Sequence, residues 1–208
     1  MAARGASRAG SGDNARNHPV QRPAACVCYE QYERGDLFEN WWRSLAVEIP
    51  GSRRLLFLSG ERVGVGSALI VADEESGRSD HSLQAGHLIV RPHGPRCSCG
   101  ARGCLELFVD GRAIAAALGL PEGAPSKQIR EELISRNSQP SIRSRLTSIV
   151  RHLEIGLISL VNTLAPDRVV LSGFLSDLAE IFQPRLADSL SLSIVAQIEP
   201  VAIVSSTL

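Results

Sequence analysis

Within eight residues this chain places three cysteines, Cys97, Cys99 and Cys104, and a histidine, His87, stands ten positions before the first of them. Thiolate and imidazole are ligands that zinc prefers, and three cysteines with one histidine make a closed tetrahedral set. A C-x-C pair lets two sulphurs reach one ion across a tight turn. Gly100 and Gly103 allow the positive-φ backbone that would bring Cys104 back to the same ion. The four side chains are therefore expected to hold one structural zinc ion. With every position filled by protein, no place remains for a metal-activated water, which speaks against hydrolytic zinc chemistry. The charged, polar and glycine-rich flanks argue against three cysteines gathering merely as small buried hydrophobes. His93, four positions before Cys97 in a proline–glycine turn, is the competing histidine. Cys26 and Cys28 form a second C-x-C, which reads as ordinary packing or exposure.

Composition narrows the setting of this cluster. The chain has 22 basic and 22 acidic residues and no formal net charge, so no broad positive field invites nucleic acid. Five cysteines is an odd number. With no apolar stretch following Arg4 and Arg8, no secretory signal is expected, and reduced thiols in a cytoplasmic setting fit better than disulfides. The longest apolar runs, Leu55 to Leu58 and Val201 to Val204, are too short to span a bilayer. No membrane contact is expected.

Residues 1–28 are rich in small, polar and breaker residues and are expected to be disordered or poorly packed. Residues 29–208 are expected to form the folded part. A helix is expected from about Leu37, with Phe38, Trp41, Trp42 and Leu45 on one face, ending at Pro50-Gly51. Arg54 to Leu58 and Ser67 to Ala72 read as two strands of a hairpin, with DEESGRSD as a polar turn after it. Leu88 to Val90 reads as a short strand entering the cysteine loop. Asp110 is placed to cap a helix over Gly111 to Leu118. Further helices are expected at Ser126 to Ile134, Ser141 to Leu164 and Ser176 to Ser189, with strands at Arg168 to Leu171 and Val201 to Val204. Strand, glycine turn and helix in succession point to an α/β fold. A parallel layer normally carries a covering helix after its last strand, so the domain reads as incomplete at the C-terminus.

Gly86-His87 followed by Cys97, Cys99, Gly100, Gly103, Cys104, Leu105 and Glu106 resembles the ROK family of repressors, open reading frames and sugar kinases. The resemblance runs from about Trp41 to Leu208. LFLSGERVGVGSALIV (56–71) looks like that family's glycine turn, and NTLAPDRVVLSGFL (162–175) like its late turn on the nucleotide side. It implies an actin-like, ribonuclease-H-like ATPase and sugar-kinase fold, here mostly the C-terminal lobe, with a zinc-binding loop. It also implies a ligand, a small sugar or sugar phosphate. His87 would bind zinc through one ring nitrogen and face a sugar hydroxyl with the other, since metallation fixes the tautomer. Glu106 would accept from paired hydroxyls. Gly64, Gly66 and Gly173 would line the nucleotide side if ATP and magnesium are used.

Several positions depart from the family pattern. Its Glu-x-Gly-His becomes Gln84-Ala85-Gly86-His87, which keeps a hydrogen-bonding group but removes its charge. The catalytic motif of the Asn-Asp-Ala-Asn type has its nearest match at Asp13-Asn14-Ala15-Arg16-Asn17, with Ala15 in the aspartate's place and Asp13 a displaced candidate. Neither the phosphate-gripping Asp-Gly-Gly-Thr segment nor a winged helix-turn-helix is found, so no direct contact with nucleic acid is expected. The chain thus reads as the sugar-sensing domain of a ROK-type regulator, truncated or decayed, with a homo-oligomer left open. An ATP-dependent hexose kinase and a zinc-stapled interaction module without a sugar are the alternatives.

Overall fold

The computed structural model describes residues 52–73 and 77–206. Asp13, Cys26, Cys28 and the helix expected from Leu37 lie outside them. Strand β1 (Arg54–Gly60) has apolar residues on both faces, Leu55 and Phe57 on one and Leu56 and Leu58 on the other, and all four are buried. A strand buried on both faces belongs in the middle of a sheet. It pairs antiparallel with β2 (Val65–Asp73) and parallel with β4 (Arg168–Gly173). The sheet is completed by β3 (Gly77–Ser82), antiparallel to β2, and β5 (Ala202–Ser205), parallel to β4, in the order β3-β2-β1-β4-β5.

Strand β3 corrects the expectation of a polar turn. Its residues, GRSDHS, carry no apolar side chain. As an edge strand it is held by the backbone ladder to β2, and a polar sequence there discourages pairing with other chains.

Among the described residues the α-helices are α1 (Glu106–Val109), α2 (Gly111–Leu118), α3 (Ser126–Arg136), α4 (Pro140–Leu164), α5 (Phe174–Leu190) and α6 (Ile194–Ile198). Asp110 caps α2 as expected, accepting from the Arg112 and Ala113 amides at 3.0 and 3.1 Å. Pro140 opens α4 in the first turn, where a missing N–H costs nothing, and Ala165 closes it with a left-handed residue. In α5 the helix bends at Phe182, two positions before Pro184, whose ring cannot fit a straight ladder.

Helix α4 is the spine of the core, burying Leu146, Val150, Leu153, Leu157 and Val161. Midway along it, Gly156 leaves a notch that Leu105 occupies; a Cβ there would stand 2.8 Å from Leu105 Cδ2. Leu105 lies between the last cysteine and Glu106, so this contact seats the cysteine loop on the core. None of the helices among the described residues is long and apolar enough to cross a membrane.

Glu154 is one of three carboxylates buried among the described residues, with Glu106 and Asp110. Glu154 on α4 receives Arg185 Nε at 2.6 Å and Nη2 at 2.8 Å, with the Ser189 hydroxyl at 2.8 Å. Burial pushes its carboxyl up, but the bonds from Arg185 and Ser189 outweigh burial and hold it below the ordinary value of 4.5. A lowered carboxyl pKa contributes stability that is complete above the unfolded value and lost as pH falls through the folded one. Urea midpoints should therefore fall more steeply below about pH 4.5 in the parent than in Glu154→Gln. Parallel pH curves for the two proteins would refute this role.

Candidate metal centre

The expected short strand Leu88 to Val90 does not form. Instead, a single 3-10 turn, Ala85–His87, points the chain into the loop, and Ile89 makes one isolated bridge to Cys104. The loop uses its hydrogen bonds on itself. The Val90 and Arg91 amides both donate to Gly103 O, Cys97 N–H to Ala101 O, Gly103 N–H to Pro95 O, and Leu105 N–H to Leu88 O. Gly103 (φ 77°) presses so closely on the Arg91 carbonyl that no Cβ fits.

This folding brings His87, Cys97, Cys99 and Cys104 together, with ligand atoms all within 4.8 Å of one another, so the group could hold a metal ion. His93 is not among them; it sits exposed in the turn with φ 63°. Two metal–sulphur bonds of about 2.3 Å at a tetrahedral angle put the sulphurs about 3.8 Å apart. Cys99 and Cys104 stand at 3.7 Å, and Cys97 Sγ lies 3.7 Å from His87 Nδ1. These two separations are of the size one four-coordinate ion requires, and Nδ1 is the His87 nitrogen that lies near Cys97 Sγ.

Thiol acidity fits the same use. Burial, aided by the neighbouring thiols, pushes Cys104 up to about 12. Burial also raises Cys97, although the Cys99 amide opposes it. For Cys99 burial is outweighed by the Ala101 amide and the neighbouring thiols, so its thiol falls below the ordinary value. Two of the three thiols would ionise only in exchange for a cation, so metal uptake must release protons.

Glu106 opens α1 beside this cluster. It is 8% exposed, and Oε1 accepts from the Cys97 thiol at 3.0 Å and lies 3.7 Å from His87 Nδ1. Gln84 lies one turn before His87, exposed, its carbonyl accepting the His87 amide at 2.9 Å and its side chain capping nothing. Gly86 allows close packing here: a Cβ would stand 3.4 Å from Glu106 Oε2 and 3.1 Å from the Val65 carbonyl.

The glycines expected on a nucleotide side lie at the carboxyl ends of the parallel strands. Gly64 (φ 89°) is in the β1–β2 turn, Gly66 faces Ser59 in the hairpin, and Gly173 (φ 58°) pairs with Gly60 across β1 and β4. Sequence reasoning assigned Asp110 only as a helix cap. It also reaches the glycine turn, where Oδ2 accepts the Gly64 amide at 3.1 Å, while Arg112 binds the same carboxylate at 2.6 and 2.8 Å. In the same turn Glu61 accepts from the Ser59 hydroxyl at 2.6 Å. A lone aspartate before a helix carries no sign of a second, long-range partner, so only the fold could reveal this link.

A profile described as the ROK family matches residues 62–206. A kanosamine kinase of Amycolatopsis mediterranei is 32% identical over 133 residues, which cover 63% of this chain and 44% of that protein. A xylose repressor of Bacillus subtilis is 33% identical over 109 residues, 52% of this chain and 28% of the repressor. The chain thus spans less than half the length of either relative. Among solved structures, a ROK family glucokinase from Streptomyces griseus in complex with glucose and AMPPNP superposes with a TM-score of 0.55. That match covers 74% of this chain and 56% of the glucokinase at 21% identity, a likeness of fold.

Proposed function

The chain belongs to the ROK family, whose members matching it include repressors and sugar kinases, and from that premise we propose that it forms the sugar-sensing domain of a regulator. The ion we assign to His87, Cys97, Cys99 and Cys104 is zinc, because three thiolates and an imidazole suit it and leave no open position. Zinc would supply a rigid cross-link and a fixed histidine tautomer. With Nδ1 engaged, Nε2–H of His87 is the donor left for a sugar hydroxyl.

The observation that carries this reading is the Glu106 carboxylate. Among the described residues its only hydrogen-bond donor is the Cys97 thiol. A metal-bound thiolate no longer donates. A carboxylate this buried then needs another donor, and a pair of sugar hydroxyls supplies one. Gln84, standing where the family places a glutamate, adds a neutral partner at the rim.

The glycine turn favours sensing over phosphoryl transfer. A phosphate cradle needs free backbone amides, yet the Gly64 amide is taken by Asp110 and the turn carries the Glu61 carboxylate. The kinase alternative, with ATP and magnesium, draws on the crevice at the carboxyl ends of β1 and β4, where α/β sheets commonly bind ligands.

Calorimetry with glucose, N-acetylglucosamine, mannose and xylose tests the reading. At least one sugar should bind the zinc-loaded protein, and Glu106→Gln should weaken it by about 1.5–3 kcal/mol with zinc content unchanged. Gln84→Glu should shift affinity the other way. A folded, zinc-loaded protein that binds no sugar at millimolar concentration would leave only the scaffold role. ATP-dependent phosphorylation above background would establish the kinase instead.

A further inference from the structure

Seven of the described arginines outside the metal loop have a side-chain partner. Arg112, Arg130, Arg136 and Arg185 each pair with a carboxylate, and Arg62, Arg143 and Arg145 donate to backbone carbonyls. The side chains of Arg53, Arg54, Arg151 and Arg168 pair with no carboxylate among the described residues either, but the metal loop gathers three arginines in one stretch without an acid. Arg91, Arg96 and Arg102 are all exposed, with His93 exposed among them, and no acidic residue occurs from Arg91 to Leu105. Among the described residues no carboxylate reaches any of the three. Only Arg102 donates to the protein, to Gly94 O at 3.4 Å.

Arg96 and Arg102 face each other in an antiparallel bridge. Residues opposed in this way project to the same side, and like charges there destabilise the pairing unless an anion lies between them. The loop cannot relax by splaying apart, because its own backbone bonds and the Gly103–Arg91 contact hold it. A three-thiolate, one-imidazole zinc core carries one negative charge, which leaves the loop a net cation. Beside it Ile89 is 53% exposed.

We propose that this loop docks a carboxylate-rich segment of a partner protein, with Arg91, Arg96 and Arg102 on its acids and Ile89 against one apolar side chain. Planar guanidinium forks on a rigid support match carboxylates in pairs. Nucleic acid fits less well. Three cations neutralise few phosphates, the chain has no net positive charge, and the loop has no Phe, Tyr or Trp on which a base could stack. The three arginines are not among the residues assigned to the sugar, His87, Glu106 and Gln84.

The test uses the zinc-loaded full chain and three fluorescent probes. These are a dodecapeptide of Glu and Asp with one central Leu, its Gln/Asn counterpart, and a short DNA duplex, each followed by anisotropy as salt is raised. The acidic peptide should bind and weaken with salt, and the neutral peptide should not bind. Arg96→Gln with Arg102→Gln should weaken binding roughly five- to tenfold at unchanged zinc content. Arg136→Gln, on a paired surface arginine outside the loop, should have no effect. Arg91→Gln alone, weakening binding to a smaller degree, keeps the question open to test should the double variant lose zinc. Equal binding by the loop variants and the parent, equal weakening by Arg136→Gln, or preference for the duplex would each overturn the proposal.

Discussion

Replacing Cys104 by serine should reduce bound zinc from about one ion per chain to background and unfold the loop from Val90 to Gly103. Cys104 is fully buried, bridges to Ile89 and lies 3.7 Å from Cys99. A serine hydroxyl in its place is not a thiolate and cannot complete the set. Apparent zinc binding in structural sites is worth about 10–16 kcal/mol in small peptides, so losing one of four ligands removes far more than any single packing contact. Elemental analysis would give the metal content, and amide hydrogen exchange would show whether protection is lost in the loop. Full occupancy in a Cys97→Ser, Cys99→Ser double variant would sink the assignment.

Gly173→Ala should cost about 3 kcal/mol or more of stability. Gly173 ends β4 and caps α5 with φ 58° and ψ −137°, a conformation only glycine adopts at ease. A side chain there would also run into the Gly60 carbonyl of the neighbouring strand, which is backbone and cannot swing aside. Gly119→Ala is the control, because φ is 74° but nothing lies within reach of a Cβ. That change should cost only about 1 kcal/mol. Equal costs in urea unfolding would mean that the close approach of β1 and β4 contributes nothing.

Much of the fold was legible in the sequence because its periodic segments are long or well punctuated. Asp110 and Gly119 bound α2 at both ends, and the expected helix over Gly111 to Leu118 coincides with the observed one. The helix expected over Ser141 to Leu164 lies within the observed α4, whose apolar residues Leu146, Leu153, Leu157 and Leu160 keep helical spacing. What escaped reading was polar or too short for a period to show, including the five-residue α6 (Ile194–Ile198). Strand β3 is polar because it is an edge, and α1 is a single turn too short for any period to appear. Leu88 to Val90 misled in the other direction. Three apolar residues resemble a strand, yet the loop around the cysteines consumes their hydrogen bonds. The four cluster residues could be found by spacing alone, whereas the Cys97–Glu106 contact and the hold of Asp110 on Gly64 depend on chain segments that only folding brings together.

The two neighbours of β1 also impose an order of events. Its pairing with β2 closes a short hairpin, but its pairing with β4 joins Arg54 to Asp167, 113 positions away. Hairpins form in microseconds, while distant parallel pairing must wait for the intervening chain to collapse. The cysteine loop lies within that intervening chain, so a pre-bound ion shortens the path to closure. Shortening it by the span from His87 to Cys104 changes the closure entropy by only about 0.1 kcal/mol. Zinc loading should therefore leave the refolding rate of the sheet almost unchanged. The slow step belongs to the meeting of β1 and β4, and the metal decides only what stands on the sheet afterwards.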